Sequence, residues 1–213
     1  MTLLQRIVHS TRLYDAAQFA AGAGLIRDRL RPRLREVEGA TVLDVGAGTG
    51  IYSACLPAST RYIWFDNDPH KLRGFLRRRQ GGLAIIGDAT RIGLADKSID
   101  YTMCTHVAHH LTDAQFLCFL GELARVTRKR VVVQDAIDKA GWASRLLWKV
   151  DAGSHPRSRA RLLEALGARF HIEHTEEYAR FHRYLLVVGP DKIISGFPPA
   201  RAGGRIETFE QPR

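Results

Sequence analysis

No stretch of this chain approaches the roughly 20 consecutive apolar residues that a membrane-spanning helix needs, so no helical span is expected. Cysteine is scarce: Cys55, Cys104 and Cys118 are odd in number, far apart and without a C-x-x-C spacing. That excludes a disulfide framework and a zinc ribbon, and it fits a reducing cytoplasm. Residues 1–10 contain Leu3, Leu4, Ile7 and Val8, broken by Gln5 and Arg6 and without a cleavage-site pattern. No signal peptide is expected, and the location predicted is cytoplasmic. Internal repeats are lacking too. A chain of 213 residues has room for one sizeable domain and not comfortably for two.

What is present in excess is positive charge. Lys and Arg number 32 against 22 Asp and Glu, a formal net charge of +10. A polyanionic partner, nucleic acid or an anionic membrane, is one reading. The other is arginine spread over solvent-facing helices and turns, densest at 27–35, 73–79, 125–130 and 157–161. The dispersal favours the second reading.

The rest of the chain is arranged around Val42-Leu43-Asp44-Val45-Gly46-Ala47-Gly48-Thr49-Gly50. A short apolar strand runs into an acid and then into three alternating glycines. Glycines after a strand allow positive φ and let a ligand approach the main chain, and a following helix would point free N–H groups at it. Dinucleotide sites space their glycines G-x-G-x-x-G, and the glycines at 46, 48 and 50 miss the last position.

Before the loop, apolar residues at helical spacing from Thr11 to Leu34 predict a helical N-terminal cap, residues 1–39, broken near Gly22 and Gly24. After it, a short helix (51–56) ends at Pro57. Strands are predicted at 61–65, 83–86, 99–104 and 130–133. Asp68 and Pro69 open a helix through Gln80, and Thr112-Asp113 cap another to about Val126. An amphipathic helix at 140–150, carrying Trp142, Leu146, Leu147 and Val150, is followed by a helix at 157–166 and strands at 168–173 and 181–188. The alternation argues an α/β fold, a doubly wound, mostly parallel sheet of seven strands, over residues 40–190. Residues 191–213 read as a flexible C-terminal tail.

The loop sequence resembles the first motif of the class I S-adenosylmethionine-dependent methyltransferases at every position. Asp66 supports the resemblance: about twenty residues on, a carboxylate at the second strand's tip can accept both hydroxyls of a ribose. Gly87-Asp88-Ala89 repeats the logic, with Asp88 for an adenine amine and the Ala89 N–H for a ring nitrogen; a loop aspartate making its own turn is the alternative. The block Leu94 to Tyr101, His109-His110-Leu111 and Glu122 to Thr127 is similar to the small-molecule branch, which includes ubiquinone- and menaquinone-type enzymes. The resemblance covers residues 40–135. It implies a Rossmann-like methyltransferase fold and S-adenosyl-L-methionine as cofactor, with S-adenosyl-L-homocysteine as product. It also implies Asp44, Gly46, Ala47 and Gly48 around the methionine moiety, Asp66 and Asn67 on the ribose, Asp88 and Ala89 on the adenine, and Thr105 and His106 on the methyl side. Tyr14, before Asp15, resembles the aromatic residue that stands ahead of the first motif, and packing of the cap explains it equally.

An acceptor that must lose a proton needs a base, and His109, His110 and His155 are the candidates; scaffolding explains the pair 109–110 as well. A metal at His106, His109 and His110 is not expected, because no acid or cysteine lies at ligand spacing. The function expected is methyl transfer to a small or lipid-like metabolite by in-line displacement. An RNA methyltransferase exploiting the basic surface and a non-catalytic cofactor-binding protein are the rivals. The fourth strand ends Cys104-Thr105-His106-Val107, not in the Asp/Asn-Pro-Pro-Tyr loop of base N-methyltransferases, which weighs against RNA.

Overall fold

Along the first strand, β1 (Thr41–Val45), Val42 packs on one face of a sheet and Leu43 on the other, because successive side chains of a strand point to opposite faces. Both are buried, so both faces must be covered, the mark of a parallel sheet between helical layers. The computed structural model describes residues 11–78, 82–137, 155–180, 183–190 and 207–208. The predicted helix with Trp142 and Trp148 lies outside them.

The remaining strands are β2 (Arg61–Asp66), β3 (Leu83–Ile86), β4 (Ile99–Thr105), β5 (Thr127–Ile137), β6 (His174–Ala179), β7 (Arg183–Gly189) and the two-residue β8 (Glu207–Thr208). Their spatial order is β6-β7-β5-β4-β1-β2-β3-β8. β3, β2, β1, β4 and β5 are mutually parallel; β7 runs antiparallel beside β5, and β6 beside β7. The seven-stranded, mostly parallel sheet is therefore present, with β8 added antiparallel at the β3 edge where only a tail was expected.

The helices are α1 (Thr11–Ala21), α2 (Ala23–Arg33), α3 (Pro69–Arg78), α4 (Asp113–Val126) and α5 (Arg159–Arg169). α4 and α5 bury Phe116, Phe119, Leu120, Leu123, Leu162 and Leu166 on one face of the sheet. α2 covers the other with Ala23, Ile26 and Leu30. Each such fully buried Leu or Phe contributes about 2 kcal/mol. Thr112 opens α4 with a capping box, its hydroxyl and the Gln115 side chain each taking the other's backbone N–H.

The short helix expected after the glycines is present, as a 3-10 helix (Ile51–Cys55). One local expectation shifts. Residues 168–173 are not a strand: α5 runs on to Arg169, and the strand begins at His174, where side chains alternate between half-buried and exposed. The apolar spacing at 162–170 fits one helix face as well as a strand, and the helix already capped by Ser158 continues.

The arginine runs are not uniformly solvent-facing either. Arg125 grips Glu122 through both carboxylate oxygens and reaches the carbonyls of Ile92 and Leu94 and the Asp96 carboxylate. Arg157 is 7% exposed. It donates to the carbonyls of Ala108 (2.6 Å) and Leu111 (2.8 Å) and to Asp113 (2.8 Å), with its guanidinium 4.2 Å from the Phe116 ring centre. Glu122, Arg125 and Asp96, which belong to the motif block, thus tie α4 to the loop before β4.

Candidate active site

The strand order reverses between β1 and β4, and the carboxyl ends of the strands there leave a crevice. The glycine loop makes its floor. Gly46 (φ +71°) and Gly48 (φ +55°) are left-handed, and a Cβ on Gly46 would lie 2.1 Å from Val107 Cγ2, so no other residue fits there. The N–H groups of Gly46 and Ala47 donate to the Phe65 carbonyl (2.8 and 3.1 Å). The Gly48 N–H donates to Asp66 Oδ2 (2.7 Å), and the Gly48 carbonyl accepts from Trp64 Nε1 (2.7 Å). These three loop amides therefore point into the protein, and the glycines here serve close approach.

The crevice encloses about 350 Å³, within the range of small-molecule sites. Of the residues singled out in the sequence, Tyr14, Gly46, Ala47, Gly48, Asp66, Asn67, Asp88, Ala89, Thr105, His106 and His110 line it. Asp44, His109 and His155 do not. Asp44 is fully buried under the loop, where Oδ2 accepts the Tyr62 hydroxyl (2.6 Å) and Oδ1 takes no hydrogen bond among the described residues. His109 is buried against Asp135. The side chain of His155 is exposed, although its backbone N–H reaches the carbonyl of His109.

Asp66 is held by two backbone donors, Gly48 N–H and Asp68 N–H (2.9 Å). Burial pushes its pKa up, and those two bonds oppose the rise. Asp88 is exposed and its Oδ1 accepts the N–H and hydroxyl of Thr90 (both 2.8 Å), so it makes its own turn while lining the crevice. Asp68 caps α3 through the His70 N–H (2.9 Å).

The sequence reading missed Lys71. Its ammonium lies 3.2 Å from the centre of the Tyr14 ring, inside the crevice wall, and burial lowers its pKa against the opposing pull of Asp68, Asp66 and Asp15. Asp15 bonds both Thr49 Oγ1 and Arg78, fastening α1 to the glycine loop and to α3. Nothing in the local pattern at Pro69-His70-Lys71 marks a lysine turned inward, since a first-turn lysine is ordinarily solvated.

The absence of an acid near the histidines was the reason for expecting no metal there, and that reason fails. Asp135, at the end of β5, brings a carboxylate to His106 and His109, with donor atoms of all three within 4.8 Å of one another. Its oxygens already accept His109 Nδ1, the His109 N–H (3.1 Å) and the Ala136 N–H (2.7 Å), so Asp135 and His109 are hydrogen-bonded to each other while His106 stands edge-on beside them.

Residues 43–133 match the family model described as a methyltransferase domain. The sheet around that stretch has the Rossmann-like methyltransferase fold. An uncharacterised methyltransferase of Mycobacterium sp. (strain JLS) is 33% identical over 91 residues, 42% of this chain and 35% of the relative. The chain thus spans about a third of the length of that relative. Among solved structures, the methyltransferase partner in a complex with the Haloferax volcanii Trm112 methyltransferase activator has a TM-score of 0.73 at 16% identity, covering 89% of this chain and 98% of that one. A SAM-dependent methyltransferase from Aquifex aeolicus has a TM-score of 0.57 at 18% identity, covering 76% and 88%. At those identities the structures establish the fold. The family match and the fold together imply S-adenosylmethionine as the cofactor.

Asp44 carries a prediction of its own. Burial lifts its pKa from 3.8 to about 7, with the Tyr62 hydrogen bond opposing and Asp66 adding a little. Between those values the folded domain holds a proton that the unfolded chain has released, so stability falls as pH rises from about 4 to about 7 and is level above. Asp44→Asn removes that loss. The melting temperature of the variant relative to the native protein should climb across this window in thermal scans; parallel curves would refute the assignment.

Proposed function

We propose that this chain is an S-adenosylmethionine-dependent methyltransferase that moves a methyl group to a small or lipid-like metabolite by in-line displacement. The observation that carries the reading is a crevice at the sheet's switch point, floored by left-handed glycines and walled by Asp66 and Asp88. The donor set fits the cofactor: carboxylates accept hydroxyl and amine protons, and bare glycine backbone allows contact on the loop side. When bound, the cofactor supplies an activated methyl group on a sulfonium. Asp66 and Asn67 would hold the ribose, Asp88 and Ala89 the adenine, and the glycine loop the methionine moiety. Thr105 and His106 would face the methyl. Tyr14 and Lys71 would close the side under α1, excluding water and aligning donor with acceptor.

RNA is the weaker acceptor class. The net charge of +10 remains, but several of the arginines behind it are already held in ion pairs, among them Arg29 with Glu176, Arg128 with Asp100, Arg130 with Glu36 and Glu173, and Arg159 with Glu177. Among the described residues no helix is long and apolar enough to cross a membrane.

Calorimetry with S-adenosylhomocysteine tests the shared site, and saturable one-to-one binding is expected. No binding would defeat the methyltransferase reading for both acceptor classes. Retention on RNA that weakens steeply with salt would transfer the acceptor to nucleic acid.

A further inference from the structure

Past the tip of β4 the backbone turns through His106 at φ +58°, a left-handed conformation that a histidine adopts at a cost of about 1 kcal/mol. The turn places the His106 ring in the crevice, edge-on to His109 (ring centres 5.8 Å apart) and to Tyr184 (5.6 Å). Behind it lies the network of Asp135 and His109, 1% and 3% exposed. His109 gives its Nδ1 to the carboxylate, which leaves Nε2 as its basic nitrogen.

The groups facing His106 come from four directions. Cys104 precedes it on β4, His109 and His110 follow in the turn, Asp135 comes from β5 and Tyr184 from β7. Burial pushes the Cys104 thiol up, and it pushes Tyr184 to about 12, so both are neutral. Burial alone would push Asp135 up as well; the charge and hydrogen bond of His109 and the charge of His106 outweigh it and hold this carboxylate below its usual range. Further along the crevice stand Asp66, Asp88 and Lys71. Within the cluster itself Asp135 is the anion, and an anion held in a desolvated place favours positive charge on the imidazoles around it.

We propose that Asp135, His109 and His106 form a proton-accepting unit in which His106 takes the acceptor's proton during methyl transfer, with Asp135 and His109 as positioning residues behind it. The proposal rests on the reading of the crevice as a methyl-transfer site. His106 receives the proton as the bond from the acceptor atom to the methyl carbon forms and the carbon–sulfur bond breaks, its electron pair staying on sulfur. The imidazolium is then compensated by the nearby charge of the Asp135 carboxylate, which His109 holds in place. The substrate class follows: an acceptor whose proton must leave, a hydroxyl or an acidic carbon. A tertiary amine or a thioether would have no use for such a unit.

The test is the titration of the imidazoles by nuclear magnetic resonance, in protein labelled with 15N at histidine and saturated with S-adenosylhomocysteine. The His106 signal is assigned by its loss in His106→Gln. In Asp135→Asn, the proton affinity of His106 should fall at least about tenfold, one pH unit. S-adenosylhomocysteine affinity by calorimetry should stay near the native value. An unchanged His106 titration overturns the unit, whereas failure of the native protein to bind S-adenosylhomocysteine defeats the underlying reading instead. Should Asp135→Asn not fold, Asp135→Ser, which also removes the charge, is expected to show the same drop. Zinc added alone that binds tightly, shifts both His106 and His109 and is lost in Asp135→Asn would make the trio a metal site and overturn the proposal.

Discussion

Asp66→Ala should bind S-adenosylhomocysteine about 100-fold more weakly than the native protein, a loss of about 3 kcal/mol. Two effects add. The ribose hydroxyls lose a charged acceptor, and the Gly48 N–H loses the oxygen that holds it at 2.7 Å, so the loop is no longer pinned at the tip of β2. Asp66→Asn separates them. The amide can keep the Gly48 bond through its oxygen but offers less to two hydroxyls, so its affinity should fall between the two. Calorimetry on the three proteins, with melting curves to confirm that each is folded, decides the matter. Affinities within twofold of one another would put the ribose elsewhere.

Arg157→Met should destabilise the fold by about 3 kcal/mol and lower the melting temperature by about 10 °C. Methionine keeps the apolar stem over Phe116 and removes every donor, so the Leu111 carbonyl loses its 2.8 Å bond and the Ala108 carbonyl loses its 2.6 Å bond and keeps only the longer one from the Leu111 N–H (3.2 Å). Asp113→Ala should cost under about 1 kcal/mol, because Asp113 is 68% exposed and its ion pair with Arg157 is screened by water. Arg157→Lys should lie close to methionine, since a single ammonium cannot reproduce the two-armed grip. Urea unfolding measures all three. Equal losses for Arg157→Met and Asp113→Ala would show that the ion pair, not the carbonyls, is what matters. The turn 108–110 carries His109 and His110, so loosening it should also disturb the crevice.

The legibility of the site divides along one line. Glycines, tip acids and caps act through their own backbone or through neighbours a few residues away. Gly46, Asp66, Asp68 and the Thr112 capping box are accordingly where the pattern put them. His109 and His155 were named as bases by their place after a strand or in a loop, and position along the chain does not say which way a ring turns. His109 turns inward to Asp135. His155 is exposed and away from the crevice lining. Asp135 itself stood in plain sight at the end of the fifth strand. Nothing local connects it with residues 26 to 29 positions earlier. β5 lies next to β4, with Gln134 opposite Thr105, and only that pairing makes the connection. Arg157 and Lys71 were missed for the same reason: long basic side chains are usually solvated, and their burial depends on carbonyls and rings supplied by distant elements.

By itself the sequence determined the class of fold, the succession of strands and helices, the glycine floor and the acids at the strand tips, because periodicity, capping and turn chemistry are short-range. Only the tertiary structure decided which histidine faces the crevice and which is tethered behind it, and that Asp44 lies beneath the loop. The same holds for the lysine and the arginine that turn inward. Those outcomes are set by contacts between strands and helices far apart along the chain, where burial and charge compete and the packing of the whole sheet chooses the winner.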